Sequence, residues 1–270
     1  MAATSKQRRR KRVSRGRFLL SITLFFTFLF ALYKSYDLLF SYLQSPHTFP
    51  VARVVVQGQL TYINRDEVAT VVGKLAGGKN LVTLDISPIH NAMVQMPWVA
   101  AVAVVKKFPD TLEINLVEHY PSALWKNTGI YDVQTNSVFY PDLKDLNLPL
   151  VTLNAPNDKL AGELYTHAYQ FIELTRHSPY YIQEVQLDPA RGYRIKIEGD
   201  VWLILGRESV PELPLIRLKR FLLSFKQTKL KLSDVAYIDL RYDNGFAIGE
   251  RNSEDSSQGS NANKTNSKSK

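Results

Sequence analysis

The stretch WVAAVAVVKKFPDTLEINLVEH, Trp98 to His119, decides the fold. Both halves are rich in apolar and β-branched residues, and Phe108-Pro109-Asp110 between them supplies a turn, so the spacing predicts a hairpin. In its second half Leu112, Ile114 and Leu116 alternate with polar neighbours, which puts these three on one face. Working back, SPIHNAMVQMPW predicts a helix with Ser87 as N-cap and Pro88 at its first position. It stops before Met96, because Pro97 disfavours helical backbone at the residue ahead of it. Before that, NRDEVATVVGKL predicts another helix, with Asn64 as N-cap, Glu67 as its capping-box partner, and Val68, Val71, Val72 and Leu75 on one face. VARVVVQG, Val51 to Gly58, reads as a strand. The order is strand, helix, helix, strand, strand.

Further toward the N-terminus the character changes. Eight of the 34 basic residues (Lys6, Arg8, Arg9, Arg10, Lys11, Arg12, Arg15 and Arg17) precede Phe18, leaving 26 against 25 acidic residues beyond it, a net charge of +1. The formal charge of +9 is therefore a local device, and it argues against a nucleic-acid partner. Its neighbour is FLLSITLFFTFLFALY, Phe18 to Tyr33, continued to Phe40, and about 20 such residues cross a bilayer core. Lys34 can snorkel to the interface, with Asp37 one turn on, and Tyr33, Tyr36 and Tyr42 form an aromatic belt. The cations predict a cytoplasmic N-terminus, with everything after about Ser41 outside. A cleaved signal would end at a small-x-small site, whereas Tyr-Lys-Ser-Tyr-Asp follows here, which favours an uncleaved anchor. The absence of cysteine fits a domain that meets oxidising conditions without disulfides.

After Tyr120 the sequence predicts a β-rich unit. PSALWKN, GIYDVQ, SVFYP and LNLPLVTLN read as short strands, and ELYTHAYQFIELTR as a helix with Leu164, Ala168, Phe171, Ile172 and Leu174 apolar. VQLDPARGYRIKIEGDVWLILGR reads as a three-strand meander. A second helix, from about Val210 to Gln227, carries Leu215, Leu218, Phe221, Leu222 and Phe225. It leads to a final strand, in which Val235, Tyr237, Asp239, Arg241 and Asp243 alternate with Ala236, Ile238, Leu240 and Tyr242. The Ser-, Asn- and Lys-rich end reads as disordered. Two readings of the final strand stand open: an edge shielded by a bulge or turn at Asn244-Gly245, or an edge kept free for a guest strand.

Motifs for chemistry are missing. GKLAGGKN, Gly73 to Asn80, resembles a phosphate loop, but Asn80 stands where a metal-binding hydroxyl belongs and a helix precedes the loop instead of following it. It reads as a glycine-rich helix exit. His47, His90, His119, His167 and His177 form no i, i+4 pair, and no G-x-S-x-G occurs. Asp239 and Asp243 flank Arg241 on one face and read as an ion network. These readings predict no catalysis, no cofactor, no metal and no small-molecule substrate.

Three stretches, in this order behind a basic tail and an anchor, carry a family likeness: MPWVAAVAVVKKFPDTLEINLVEHYPSALW (Met96 to Trp125), WLILGR (Trp202 to Arg207) and VAYIDLRYDNGFAIG (Val235 to Gly249). With the strand-helix-helix-strand-strand order of a POTRA domain, the chain resembles the bacterial FtsQ/DivIB cell division family over roughly residues 15 to 250. The resemblance implies an α+β chain: a single transmembrane helix, a POTRA domain (β-α-α-β-β), then a mostly antiparallel β domain with two helices. The boundaries expected are a basic cytoplasmic tail at 1–17, the membrane helix at 18–40, a linker at 41–50, POTRA at 51–119, the β domain at 120–250 and a disordered tail at 251–270.

The resemblance also implies an inner-membrane divisome scaffold, enriched at the septum, that binds FtsB by strand addition at its last strand, with FtsL joined to FtsB. The contact residues it implies are Arg241, Tyr242, Asp243, Asn244, Gly245 and Phe246, with Arg191 in the meander turn, and Tyr242 as the anchor. Recruitment through the POTRA domain would involve Val104, Lys106 and Glu118. Where familiar members have a small residue and, further on, an aromatic, this chain has Phe246 and Glu250. The rival reading is a POTRA-type chaperone or transport accessory for envelope proteins, although one repeat and no barrel strands are seen; a periplasmic hydrolase stands third.

Overall fold

The computed structural model describes residues 15–45, 47–144, 146–225 and 231–251. Most of the basic tail, and residues 252–270 of the segment read as disordered at 251–270, lie outside the described residues, whereas Arg251 is described. Helix α1, Arg15–Gln44, is 30 residues long and presents Phe18, Phe26, Phe30 and Leu38 to its surroundings. Both of its threonines bond back within the helix: Thr23 Oγ1 donates to Leu20 O at 3.0 Å and Thr27 Oγ1 to Leu24 O at 2.9 Å. A helix that bonds its own polar groups and exposes an apolar surface suits hydrocarbon, and it is the single helix among the described residues long and apolar enough to cross a membrane.

The chain divides into two compact units, the first of which includes α1. In the first, β1 (Arg53–Gln57), α2 (Arg65–Ala76), α3 (Ser87–Val94), β2 (Val99–Lys107) and β3 (Thr111–Glu118) follow in the expected order. Strand β3 lies between β1 and β2, and β1 runs parallel to it from Arg53↔Thr111 to Gln57↔Asn115. Val68, Val72 and Ala76 of α2, Ile89 and Met93 of α3, and Leu112, Ile114 and Leu116 of β3 are all buried, so the helical stripes meet the alternating face of the hairpin. Asn64 caps α2, its Oδ1 accepting from Asp66 N at 2.9 Å.

The cap of α3 differs from expectation. Ser87 lies inside the helix, and Asp85 does the capping, its Oδ1 accepting from Ser87 N at 2.9 Å and from the Ser87 hydroxyl at 2.7 Å. A carboxylate two residues upstream outcompetes a neutral hydroxyl at a helix N-terminus. These bonds hold the Asp85 carboxyl below its ordinary range.

In the second unit nine strands form one sheet in the order β12-β11-β10-β9-β8-β7-β4-β5-β6. They are β4 (Pro121–Trp125), β5 (Gly129–Asp132), β6 (Ser137–Phe139), β7 (Thr152–Asn154), β8 (Ile182–Leu187), β9 (Gly192–Ile197), β10 (Val201–Arg207), β11 (Val235–Asp239) and β12 (Ala247–Glu250). Five of the eight neighbouring pairs are antiparallel. Helices α4 (Ala161–Thr175) and α5 (Leu213–Ser224) contribute Leu164, Phe171, Leu218 and Phe221 to a core shared with Trp125, Val185 and Ile238. Helix α5 opens three residues later than expected. Glu212, at φ 62, takes a left-handed cap conformation between Pro211 and Pro214, which removes Val210 from the helix.

The final strand is the main correction. The alternating run from Val235 onward is not one strand. Strand β11 stops at Asp239 and is paired on both sides, with β10 in parallel and β12 antiparallel. The chain leaves the ladder at Leu240, turns through Asp243 and Asn244, and returns as β12, which occupies the sheet edge. Of the two open readings, a turn near Asn244-Gly245 does form, but the edge it produces belongs to β12.

Candidate partner-binding surface at the end of the sheet

Two arginines of α5 explain why the strand breaks. Arg217 donates to Leu205 O at 2.6 Å and to Arg241 O at 3.2 Å. Arg220 donates to Tyr242 O at 2.6 Å, to Leu240 O at 3.2 Å and to Asp243 O. The carbonyls of Leu240 to Asp243, which a continued strand would offer to a ladder, are thus claimed by guanidinium groups three residues apart on one helix face. Asp239 reinforces the break: its carboxylate takes Arg241 Nε at 2.9 Å, Arg241 Nη2 at 2.6 Å and the Arg241 amide at 3.0 Å. The Arg241 side chain, working against burial, holds the Asp239 carboxyl below the usual carboxylate range. Asp243 contributes its carbonyl to Arg220 and pairs with no cation among the described residues, so the network predicted for the three residues reduces there to Asp239 and Arg241.

The resulting loop displays some of the predicted residues and withdraws others. Tyr242 is 56% exposed, its main chain pinned by Arg220. Asp243 and Asn244 form the exposed turn. Phe246 instead turns inward, its ring 6.4 Å from Phe221 and 6.2 Å from Phe225, and serves as the peg that seats the loop. Gly206, at φ 74, leaves room beside it for Arg241, since a Cβ there would stand 2.9 Å from Arg241 Cγ.

Strand β12 follows, with Ala247 and Glu250 exposed. Tyr237 of β11 lies across Gly249, where a Cβ would sit 2.2 Å from the ring. Beyond the strand, Arg251 N donates to Asp234 O at 2.9 Å and its guanidinium to Gly199 O at 2.6 Å. The short strand is thereby fixed at both ends, and no strand among the described residues pairs with its outer edge.

Arg191 sits at φ 67 in the turn between β8 and β9 and pairs with Glu163. It borders a cavity next to one of about 630 Å³ that is lined by Arg194, Arg207, Arg217 and Arg241 with Asp188 and Tyr193. Val104 and Lys106 lie in the other unit, half-buried on β2, with Lys106 Nζ donating to Val82 O at 3.2 Å; Glu118 closes β3. The structure therefore gathers Arg241 to Phe246 around one sheet corner and holds Val104 and Lys106 elsewhere.

A buried His–Asp pair also escaped the sequence reading: His119 Nδ1 is 2.8 Å from Asp132 Oδ2, and the imidazole stacks on Phe139 at 4.2 Å. Burial works against the Asp132 charge, but the His119 bond and the Gln134 amide outweigh it and keep that carboxyl below its ordinary value. Arg217 and Arg220 were missed too, although their three-residue spacing on a predicted helix was a usable signal.

This arrangement defines a class: an apolar N-terminal helix, a POTRA-type unit and a sheet-rich unit whose last strand lies at the sheet edge among the described residues. Residues 49–119 match the family described as POTRA domain, FtsQ-type, and residues 123–241 match Cell division protein FtsQ/DivIB, C-terminal. The chain is 30% identical over 214 residues to Cell division protein FtsQ of Aliivibrio fischeri, covering 77% of this chain and 79% of that protein. It is 30% identical over 212 residues to the FtsQ of Vibrio cholerae, covering 77% and 78%. To that of Escherichia coli K12 it is 25% identical over 213 residues, covering 77% and 75%. The chain belongs to the FtsQ family of cell division proteins.

Proposed function

We propose that this chain is a non-enzymatic scaffold of the divisome, held in the inner membrane by α1 with its N-terminus cytoplasmic and both units periplasmic, and enriched at the septum. The sheet-rich unit captures FtsB, which brings FtsL, by accepting a strand of FtsB on the outer edge of β12. The observation that carries this is the outer edge of β12, with which no strand among the described residues pairs, together with the exposed Tyr242. Strand addition satisfies a row of main-chain groups at once, and side-chain pockets add selectivity. Tyr242 supplies the large rigid side chain typical of interface hot spots. Arg241 and Arg191 border the adjoining cavities and favour acidic residues on the incoming segment. Val104, Lys106 and Glu118 belong to a separate recruitment surface on the POTRA-type unit.

A photocrosslinking scan of positions 241 to 250 in dividing cells tests the assignment. Crosslinks to FtsB are expected at Tyr242, Ala247 and Glu250 and to weaken at the inward Phe246. Tyr242→Glu and Gly245→Pro are expected to abolish FtsB capture while membrane insertion persists. Unchanged FtsB recovery with both variants would reject the docking edge.

A further inference from the structure

The end of the POTRA-type unit nearest α1 carries a second surface, which the scaffold reading leaves unused. Asn80, buried in the turn after α2, donates from Nδ2 to Leu43 O at 2.8 Å and to Ser45 O at 2.6 Å, tying that turn to the last residues of α1. Leu81 N bonds Phe49 O at 2.7 Å and Val51 N bonds Lys79 O at 2.9 Å, which continues the stitching along the chain leaving the helix. The β2–β3 hairpin tip lies at the same end, because Ala52 N and Arg53 N both donate to Asp110 O, at 2.9 and 3.2 Å. Three chain segments therefore converge where the chain emerges from α1.

What they display is apolar and basic together. Phe108, at the hairpin tip, is 59% exposed, with its ring edge-to-face on Phe49 at 5.9 Å. Val82 is exposed close by, its carbonyl reached by Lys106 Nζ. Lys79, three residues before Val82, and Lys107, next to Phe108, are both exposed, Lys107 Nζ lying 2.5 Å from Glu113 Oε2. A lone exposed apolar residue is ordinary; the position of this one is not. If the hydrocarbon reaches Phe40, Leu43 stands about 4.5 Å and Ser45 about 7.5 Å beyond it, within a headgroup layer roughly 5 to 7.5 Å deep. Loops bonded to Leu43 and Ser45 are then carried at headgroup level, where aromatic rings and lysines are favoured.

We infer that this end of the unit is a membrane-contact surface: Phe108 and Val82 enter the interfacial layer of the bilayer spanned by α1, with Lys79 and Lys107 at phospholipid headgroups. The inference rests on the reading of α1 as an anchor. Its consequence is a POTRA-type unit seated on the lipid surface instead of swinging on a tether.

The chain has no cysteine, so single thiols report single sites. Full-length Phe108→Cys, Val82→Cys, Val117→Cys and Phe30→Cys are labelled with an environment-sensitive fluorophore in phosphatidylethanolamine/phosphatidylglycerol vesicles containing spin-labelled lipid quenchers. Val117, exposed near the far end of β3, is the control on the same unit. Blue-shifted emission and quenching by shallow quenchers are expected at 108 and 82, quenching by deep quenchers at 30, and neither at 117. Adding Phe108→Asp to the Val82→Cys chain is expected to abolish quenching at 82 without touching the labelled residue. If 30 is quenched while 108 and 82 behave like 117, the surface is free or meets a protein, and the inference is overturned with the anchor intact. If 30 is not quenched, the anchor reading falls and this one with it. Quenching at 82 that survives Phe108→Asp removes Phe108 from the contact.

Discussion

Arg220 shows how much one side chain decides at this surface. A guanidinium bonded to the carbonyls of Leu240, Tyr242 and Asp243 fixes the loop that presents Tyr242. Arg220→Ala leaves those carbonyls to water, and the expected destabilisation is about 1 to 3 kcal/mol, since hydrogen bonds from charged donors are partly screened at a half-exposed site. Hydrogen exchange should rise first at residues 241 to 246, and FtsB capture should fall. Arg220→Lys should rescue little, because an ammonium lacks the planar fork that spans three acceptors. The neighbouring Asp239 predicts a pH dependence. Its carboxyl titrates lower in the folded chain than in the unfolded one, principally because of Arg241, so its ionised form stabilises the fold. That contribution is fully present above the unfolded value of about 4 and is lost as pH falls through the lower folded value. Between pH 5 and pH 8 no change from this pair is expected. Asp239→Asn should flatten the acid limb of a stability-versus-pH curve, and an unchanged limb would show that other carboxylates govern it.

Between single residues and the whole chain, the elements show what local pattern could and could not foretell. The hairpin around Phe108-Pro109-Asp110, the valine stripe of α2 and the three-strand meander follow from periodicity and turn residues. Each is dictated by neighbours a few positions away. The end of β11 is not. Alternation from Val235 to Asp243 speaks for a continuous strand, and what overrides it is Arg217 and Arg220, 20 to 24 residues upstream of the carbonyls they claim once α5 has packed. The cap of α3 failed for a nearer reason, since Asp85 lies just outside the motif centred on Ser87. In the candidate site, a turn near Asn244-Gly245 was legible from its residue types, while the alternation put Tyr242 on the apolar face of a strand and only the family resemblance singled it out; the edge itself, displaced to β12, was not legible. Gly249 tests whether that edge matters. A valine there would drive its Cβ into the Tyr237 ring, an overpacking that costs about 1 to 3 kcal/mol. We expect Gly249→Val to loosen β12 from β11, lowering the melting temperature modestly and FtsB capture strongly. Melting that falls while capture is retained would mean the guest does not use β12.

At the scale of the molecule, one polypeptide carries two compact units. If Val104, Lys106 and Glu118 recruit the chain to the division site and β12 with Tyr242 captures FtsB, then each surface fails independently. The product of the two is needed only because one polypeptide holds both. Covalent linkage raises the local concentration of captured partner at the recruited site, commonly into the millimolar range for short connections, and no new contact is required. Lys106→Glu should therefore abolish septal enrichment while FtsB still co-purifies, and Tyr242→Glu should do the reverse. Co-expressed, the two defective chains possess every surface yet never on the same molecule. The expected outcome is that cells depleted of the wild-type chain stay filamentous under co-expression, with Tyr242→Glu at the septum and FtsB bound to the dispersed Lys106→Glu chain. Restored division would show that chains associate at the septum closely enough to share surfaces. The covalent order of the two units would then matter less than the number of copies gathered there.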